Sequence, residues 1–196
     1  MIELTKKEQE ALLIIYKGVS NFYNANSLSK EIVMTQVGAM KLLKRFEKNN
    51  ILLSKRIGKS IVYKADIKEE FVQKLIAFAL INEAGKYQRW KEEFKAVYKK
   101  GRILLFYGSA SRDYSNAKDI DIFMIINKKD FHEVSKELEK IQSMLPKKLH
   151  AIKATKEDLV KNIKENNKSM MEIIKTAIVL CGYDEYMKVV NGFASF

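Results

Sequence analysis

Two aspartates stand one residue apart in an otherwise apolar run, Asp-Ile-Asp-Ile-Phe-Met-Ile-Ile at 119–126. In a β-strand, residues i and i+2 share a face and lie about 6.6 Å apart along it, at ~3.3 Å per residue. Asp119 and Asp121 would therefore repel each other, and on a half-buried strand both carboxylates would also lose solvation. The pattern predicts a cation between them, and carboxylates are ligands of Mg²⁺ and Mn²⁺.

A glycine–serine pair precedes the aspartates, directly after the apolar run Arg-Ile-Leu-Leu-Phe-Tyr at 102–107, which has the composition of a strand. Gly108 would let the backbone approach a phosphate closely, and Ser109 with the neighbouring amides could donate hydrogen bonds to it. Two divalent ions about 3.5–4 Å apart would stabilise the attacking and leaving oxygens of a phosphoryl displacement. The pattern therefore favours metal-assisted binding or transfer of a phosphoryl group.

The Gly-Ser pair, a spacer that contains Arg112, and an Asp-x-Asp flanked by apolar residues together resemble the signature of the DNA polymerase β-like nucleotidyltransferase superfamily. The nearest likeness is to its small bacterial and archaeal members, the minimal nucleotidyltransferases, and it covers about residues 101–192. It implies a mixed sheet flanked by helices, with Mg²⁺ or Mn²⁺ and a nucleoside triphosphate as ligand or substrate. The residues that it assigns are Asp119 and Asp121 for catalysis and metal binding, and Gly108, Ser109 and Arg112 for nucleotide binding.

Active members of that superfamily carry a third carboxylate on the next strand, predicted here at 147–154, and His150 stands in its place. An imidazole there could bind a metal ion or act as a general base near pH 6.5. Alternatively, it is a strand residue at a position that has lost its role. Glu157 and Asp158 follow at the start of a helix predicted over 155–167, where capping and the helix dipole account for acids.

The chain is basic, because 36 Lys and Arg stand against 24 Asp and Glu, a net charge of +12 over 196 residues. Residues 1–66 have the largest excess per residue, with twelve basic and six acidic side chains. Such an excess suits a polyanionic partner, although selection for solubility produces the same balance.

The composition also excludes some classes of protein. The single cysteine, Cys181, excludes an internal disulfide and a cysteine-based zinc cluster. The sequence contains no apolar run near the roughly 18–20 residues that span a bilayer, and its start lacks the basic-then-apolar layout of a secretory signal. We therefore expect a cytoplasmic protein with no membrane contact.

Capping residues and apolar spacing predict helices over 5–17, 27–34 and 37–50. The first has a capping box from Thr5 to Glu8, and the second has Ser27 as its N-cap. A tight turn joins the second helix to the third, which is the layout of a helix-turn-helix. The apolar face of the third helix is expected to comprise Val37, Met40, Leu43 and Phe46.

Two β-rich runs over 51–67, around Ile-Gly-Lys-Ser at 57–60, predict a hairpin after the third helix. Three helices followed by a basic hairpin resemble the winged helix-turn-helix family of bacterial and archaeal regulators, over roughly residues 4–67. The alternatives are a dimerisation or protein-docking module and a basic face that is merely solvated. The resemblance implies contact with double-stranded DNA through Thr35, Gln36, Lys41, Lys44, Arg45, Lys55, Arg56 and Lys59.

The middle segment, residues 67–100, predicts one long helix or two helices broken near Gly85. Its apolar stripe is expected to include Phe71, Leu75, Phe78 and Leu80 and to continue through Trp90, Phe94 and Val97. Such a helix could pack against its twin in a homodimer or onto the C-terminal domain. The tail over 169–190 predicts an amphipathic helix, a break at Gly182 and a second short helix.

These patterns predict an α+β protein with a winged helix-turn-helix at 1–67, linking helices at 68–100 and a nucleotidyltransferase-like domain at 101–196. One expected function is a DNA-binding transcriptional regulator whose second domain binds nucleotide and metal with weak or lost catalysis. The alternative is an active nucleotidyltransferase that moves a nucleoside monophosphate to a protein, an RNA or a small molecule. A third option is an antitoxin-like role beside a separate partner protein.

Overall fold

The computed structural model describes residues 3–196 and shows a mixed α+β protein, as the sequence predicts. The chain forms two compact units, one comprising the chain up to Ala79 together with Val190–Phe196 and the other Leu80–Val189. Within the described part of the chain, none of the helices is long and apolar enough to cross a membrane. The predicted division at 1–67, 68–100 and 101–196 stays a prediction.

The first unit contains three helices followed by a hairpin, in the predicted order. Its elements are α1 (Lys6–Lys17), α2 (Ala25–Glu31), α3 (Gln36–Lys48), β1 (Leu52–Ile57), β2 (Ser60–Ala65) and the start of α4 (Glu70–Gly85). The two strands are antiparallel, and Gly58 in the turn has a φ of +58°. The amide of Tyr63 donates to the backbone oxygen of Tyr23 at 2.8 Å, which adds a single bridge to the hairpin edge.

The helix starts follow from side chains that satisfy free amides. The predicted capping box of Thr5 and Glu8 is confirmed. The predicted cap at Ser27 is wrong, because Asn24 is the N-cap of α2 and Ser27 completes the capping box three residues later. Thr35 caps α3.

The buried face of α3 differs from the predicted one. Leu43 and Phe46 are buried, as predicted, but Val37 and Met40 are 58% and 42% exposed. The buried positions of this helix are Ala39, Leu42, Leu43 and Phe46. The predicted residues are spaced by three, whereas an α-helix has 3.6 residues per turn. Successive members of such a series therefore lie progressively further around the helix, and the first two fall outside the buried face.

The second unit is built around a four-stranded mixed sheet. Its elements after α4 are α5 (Gln88–Glu93), β3 (Ile103–Tyr107), β4 (Asp119–Ile125), α6 (Phe131–Met144), β5 (Lys148–Ala154), α7 (Lys156–Lys164), α8 (Lys168–Thr176), β6 (Ile178–Cys181) and α9 (Tyr183–Val190), with short 3₁₀ helices at Lys95–Val97 and Lys128–Asp130. The strand order is β5-β4-β3-β6. β4 and β5 are parallel, and the other two pairs are antiparallel.

One face of this sheet carries an apolar core. Leu104 and Phe106 of β3, with Ile120, Ile122 and Met124 of β4, are fully buried there. They pack in one cluster with aromatic residues of the segment before β3 and with the apolar side of α6; these partners are Trp90, Phe94, Val134, Leu138 and Ile141. The core thus holds β3, which is followed by the Gly-Ser turn, and β4, which carries the two aspartates.

The middle segment contains two helices, which is one of the two predicted alternatives, with α4 ending at Gly85. Its predicted apolar stripe is partly wrong. Leu80 is buried, but Phe71 and Phe78 are 48% and 53% exposed. Besides Leu80, the buried positions of α4 are Val72, Ile76, Ala79 and Ala84.

The tail contains a strand that the sequence patterns miss. Ile178–Cys181, predicted as the end of a helix, forms β6 and pairs with β3. A short apolar run fits a buried strand as well as a helix, and only the free edge of β3 distinguishes them. The predicted break at Gly182 is confirmed: its φ is +75°, and a Cβ atom there would lie 2.0 Å from the backbone oxygen of Arg102.

A buried lysine gives the first unit a pH-dependent stability. Lys64 is 2% exposed, and its ammonium group donates to the backbone oxygen of Val19 at 2.6 Å. Burial lowers its pKa from 10.5 to about 8. Between those two pH values the unfolded chain holds a proton that the folded chain lacks, so stability rises with pH there.

We expect the unfolding free energy of the wild type, minus that of Lys64→Met, to increase between pH 8 and 10.5. The slope should approach roughly 1.4 kcal/mol per pH unit, the value for one proton. Urea denaturation at several pH values measures this difference. Lys59→Met, at an exposed lysine of the same hairpin, is the control and should give a flat difference. A flat difference for Lys64→Met would contradict the lowered pKa.

Candidate functional site

The two aspartates lie on β4 in the second unit. Ile120 and Ile122 are fully buried in the core, whereas Asp119 and Asp121 are partly exposed. Because side chains alternate along a strand, both carboxylates lie on the face away from that core. The prediction that the pair shares one face of a strand is confirmed.

The neighbouring strands place further side chains beside the pair. Parallel β5 puts His150 opposite Asp121 and Lys148 opposite Asp119. Antiparallel β3 puts Tyr107 opposite Asp121, so Tyr107, Asp121 and His150 form one row across three strands. Spacing along a single strand carries no information on register, which is why sequence reasoning misses Tyr107 and Lys148.

His150 completes a group of three potential metal ligands. Its Nδ1 atom lies 3.3 Å from Oδ2 of Asp119 and 3.5 Å from Oδ1 of Asp121. One ligand atom from each residue lies within 4.8 Å of the others, so the three side chains could hold a metal ion. Two carboxylates and an imidazole nitrogen are a donor set that fits a divalent cation.

The electrostatics of the row favour a bound cation. Burial raises the pKa of Asp121, the charge of Asp119 raises it further, and His150 lowers it. The pKa of Tyr107 is also raised, by burial and then by the charge of Asp121. A divalent ion held by Asp119, Asp121 and His150 would reduce the electrostatic repulsion that contributes to the raised pKa values of Asp121 and Tyr107.

Gly108 makes room for one of the carboxylates. It follows β3 with a φ of +76°, which glycine adopts without a steric penalty. A Cβ atom at this position would lie 2.2 Å from Oδ2 of Asp121. Close approach of a phosphate was the expected reason for this glycine, whereas in the structure the carboxylate of Asp121 fills the space. Gly108 is thus a positioning residue for Asp121.

Polar contacts hold the loop between β3 and β4. The ammonium group of Lys147 donates to the backbone oxygens of Tyr114, Ser115 and Ala117, the last at 2.6 Å. It lies 4.4 Å from the centre of the Tyr114 ring, and the guanidinium of Arg89 lies 4.6 Å from the same centre. Both are cation–π contacts that fix the ring. No motif in the sequence identifies Lys147 or Arg89 as supports of the site.

The two other residues predicted to bind nucleotide lie in the turn after Gly108. Ser109 and Arg112 are exposed. The amides of Arg112 and Asp113 donate to the backbone oxygen of Ser109 at 3.0 and 2.9 Å, and the Ser111 hydroxyl donates to that of Gly108 at 2.8 Å. The turn is therefore ordered by its own hydrogen bonds, and the contact of these residues with a nucleotide stays a prediction.

In the first unit, four of the eight residues predicted to bind DNA lie on the exposed surface of α3. Gln36, Lys41 and Lys44 are exposed. Thr35 is exposed too, but its hydroxyl accepts the amide of Gly38 at 3.1 Å and so serves the helix start. The exposed positions of α3 therefore include two lysines and a glutamine, residue types that suit phosphate and base contacts.

Arg45 has partners within the protein. Its Nη1 atom lies 2.9 Å from Oε1 of Glu8, and Nη2 donates to the backbone oxygen of Glu3 at 3.1 Å. Glu8 also closes the capping box of α1, so Arg45 joins α3 to the start of α1. A contact between Arg45 and a phosphate would require breaking this ion pair, which the sequence pattern does not reveal.

The hairpin presents the other predicted DNA contacts. Lys55, Arg56 and Lys59 are all exposed, as expected for the wing of a winged helix. The ammonium of Lys55 lies 5.9 Å from the centre of the Phe196 ring, and that ring stacks on Phe22 with a centroid separation of 5.9 Å. The last residues of the chain thus pack against the hairpin within the first unit.

Comparisons of the chain with protein-family models, with curated proteins and with solved structures find no match.

The close approach of Gly108 to Asp121 is testable by adding one methyl group. Gly108→Ala should displace the Asp121 carboxylate and strongly weaken Mn²⁺ binding measured by calorimetry. It should also lower stability by more than the ~1–2 kcal/mol of backbone strain at a positive φ.

Gly101→Ala is the matched control, because Gly101 has a φ of +87° and a Cβ atom there would meet nothing within 4 Å among residues 3–196. It should show the backbone strain alone and retain metal binding. Equal losses in the two variants would contradict the role assigned to Gly108.

Proposed function

We propose that this chain is a DNA-binding transcriptional regulator whose second unit binds a nucleotide together with a divalent metal ion. The observation that carries the proposal is the group of Asp119, Asp121 and His150, whose ligand atoms lie within 4.8 Å of one another. The group lies beside Gly108, the glycine of the Gly-Ser pair, so both halves of the motif meet at one place.

The DNA-binding half of the proposal is supported by the order and surface of the first unit. Three helices precede an antiparallel hairpin, and the chain before α2 adds a bridge at Tyr23. The second helix of the α2–α3 pair carries exposed Lys41 and Lys44, and the hairpin carries exposed basic residues as well. This arrangement resembles a winged helix-turn-helix, in which α3 would enter the major groove and the hairpin would contact the backbone.

The nucleotide-binding half is supported by the likeness to minimal nucleotidyltransferases. β3, which ends at the Gly-Ser turn, and β4, which carries Asp-x-Asp, are neighbours in a mixed sheet. His150 on β5 is at the position where active members are expected to carry the third carboxylate. Asp119 and Asp121 would hold the ion, and Ser109 and Arg112 would contact the phosphates. A bound divalent ion would neutralise phosphate charge and orient the phosphates.

A second candidate function is an active nucleotidyltransferase, and Gly108 favours it. The absence of a side chain at Gly108 lets the Asp121 carboxylate lie next to a second carboxylate, an arrangement that costs electrostatic energy in the absence of a cation. His150 would then accept the proton of the attacking hydroxyl, or hold the ion, in place of the missing acid. The homodimer, the cytoplasmic location and the antitoxin-like role stay predictions.

Nucleotide binding should depend on both the metal ion and the aspartate pair. Calorimetry with the four ribonucleoside triphosphates should show binding in Mn²⁺ or Mg²⁺ and none in chelator. Asp119→Asn with Asp121→Asn should remove binding, since a neutral amide holds a divalent ion poorly.

Glu157→Gln with Asp184→Asn changes the same charge at two exposed acids of the second unit and should leave binding unchanged. Equal binding by the two double variants would refute the site. Incubation of labelled nucleoside triphosphates with candidate acceptors distinguishes the two functions: robust transfer that is lost in His150→Ala would favour the enzyme.

DNA binding should depend on salt and on the exposed lysines of α3. For the full chain on duplex DNA, log K should fall linearly with log salt concentration. Lys41→Ala with Lys44→Ala should reduce the slope by about 1.8 if each lysine neutralises one phosphate. Lys136→Ala with Lys164→Ala, at exposed lysines of the second unit, is the charge-matched control. Absence of binding at low salt would leave the first unit as a docking module.

A further inference from the structure

The donor set of the metal site is mixed. Asp119 and Asp121 offer carboxylate oxygens, and His150 offers Nδ1 at 3.3 and 3.5 Å from them. If all three sites were carboxylates, the group would have three negative charges. With a neutral imidazole it has two, because a nitrogen ligand must be unprotonated.

This difference affects metal ions unequally. Mg²⁺ is a hard cation that prefers oxygen ligands and depends on their charge, so replacing a carboxylate by an imidazole weakens its binding. Co²⁺ and Zn²⁺ accept imidazole nitrogen readily, and Mn²⁺ accepts it more readily than Mg²⁺ does, so the same replacement weakens the binding of these first-row ions less.

The separations between the ligand atoms suit a shared ion. Two atoms that each lie ~2.1 Å from one ion are about 3.0 Å apart at a right angle and about 3.4 Å apart at a tetrahedral angle. The distances of 3.3 and 3.5 Å from His150 to the two carboxylates are near the wider value. The parallel register of β4 and β5, with Asp121 opposite His150, keeps the imidazole at this distance from the pair.

We propose that His150 is a metal ligand through Nδ1, and that it makes the site selective for first-row transition ions over Mg²⁺. The inference rests on the proposed metal and nucleotide site and specifies the class of cofactor that this site takes. On this basis His150 keeps a function at the position of the missing acid, and the ion that accompanies the nucleotide is a transition metal.

The test compares metal binding and spectroscopy of the full chain after removal of metals with a chelator. The probes are Mn²⁺, followed by the EPR signal of the free ion, and Mg²⁺, followed by its displacement of bound Mn²⁺. We expect pulsed EPR of bound Mn²⁺ to show a coupling to ¹⁴N from the imidazole. His150→Asp should lose this coupling and lower the preference for Mn²⁺ over Mg²⁺ about tenfold or more, chiefly by gaining Mg²⁺ affinity.

His132→Asp is the matched control, because His132 is the only other histidine of the chain and lies exposed on α6. It should retain the ¹⁴N coupling and the metal preference of the wild type. His150→Ala is a second variant in case a third carboxylate in His150→Asp impairs folding. It should lose the ¹⁴N coupling and bind Mn²⁺ more weakly, with little change in its affinity for Mg²⁺.

The outcomes separate this inference from the proposed function. In one outcome, Mn²⁺ or Mg²⁺ binds with nucleotide through the aspartates, but the bound Mn²⁺ shows no ¹⁴N coupling and His150→Asp leaves the preference for Mn²⁺ over Mg²⁺ unchanged. The role of His150 is then refuted and the proposed function stands. If no divalent ion binds to the wild type, with or without nucleotide, this inference and the metal- and nucleotide-binding half of the proposed function are both refuted.

Discussion

The repulsion between two carboxylates on one strand face is the constraint on which the second unit depends. Asp119 and Asp121 are held side by side by β4, and burial adds to the cost of charging Asp121. Three features of the fold accommodate this repulsion. His150 places a nitrogen between the two carboxylates, Gly108 leaves room for Asp121, and the arrangement offers three ligand atoms to a cation.

The rigidity of the site derives from the opposite face of the same sheet. Fully buried residues of β3 and β4 fix the strands, so the aspartates project from elements that the core holds in place. The connecting loop is held separately, by the contacts of Lys147 and Arg89 with Tyr114 and its neighbours. A metal site needs such support because ligand positions must be accurate to a fraction of an ångström. Here the strands carry the three side chains that could hold a metal ion, and the loop carries the Gly-Ser turn and Arg112.

In the first unit, burial and surface chemistry divide the residues of α3. The buried side of the helix packs into the core, and Arg45 ties it to Glu8 of α1. Lys41 and Lys44 are exposed on the other side of the helix. The basic charge of α3 is therefore partly engaged in an ion pair within the unit and partly exposed.

The sequence by itself determined the elements whose signals are local. Capping chemistry at Thr5 marked the first helix, the turn at Gly58 marked the hairpin, and alternation placed Asp119 and Asp121 on one face. These features depend on residues within a few positions of one another, and their physics acts over the same range.

Only the tertiary structure decided features that depend on distant parts of the chain. Strand register placed His150 and Tyr107 beside Asp121, and the free edge of β3 made Ile178–Cys181 a strand. Packing energy selects among local alternatives of similar intrinsic stability, so the partners across the sheet are fixed only when the whole core has formed.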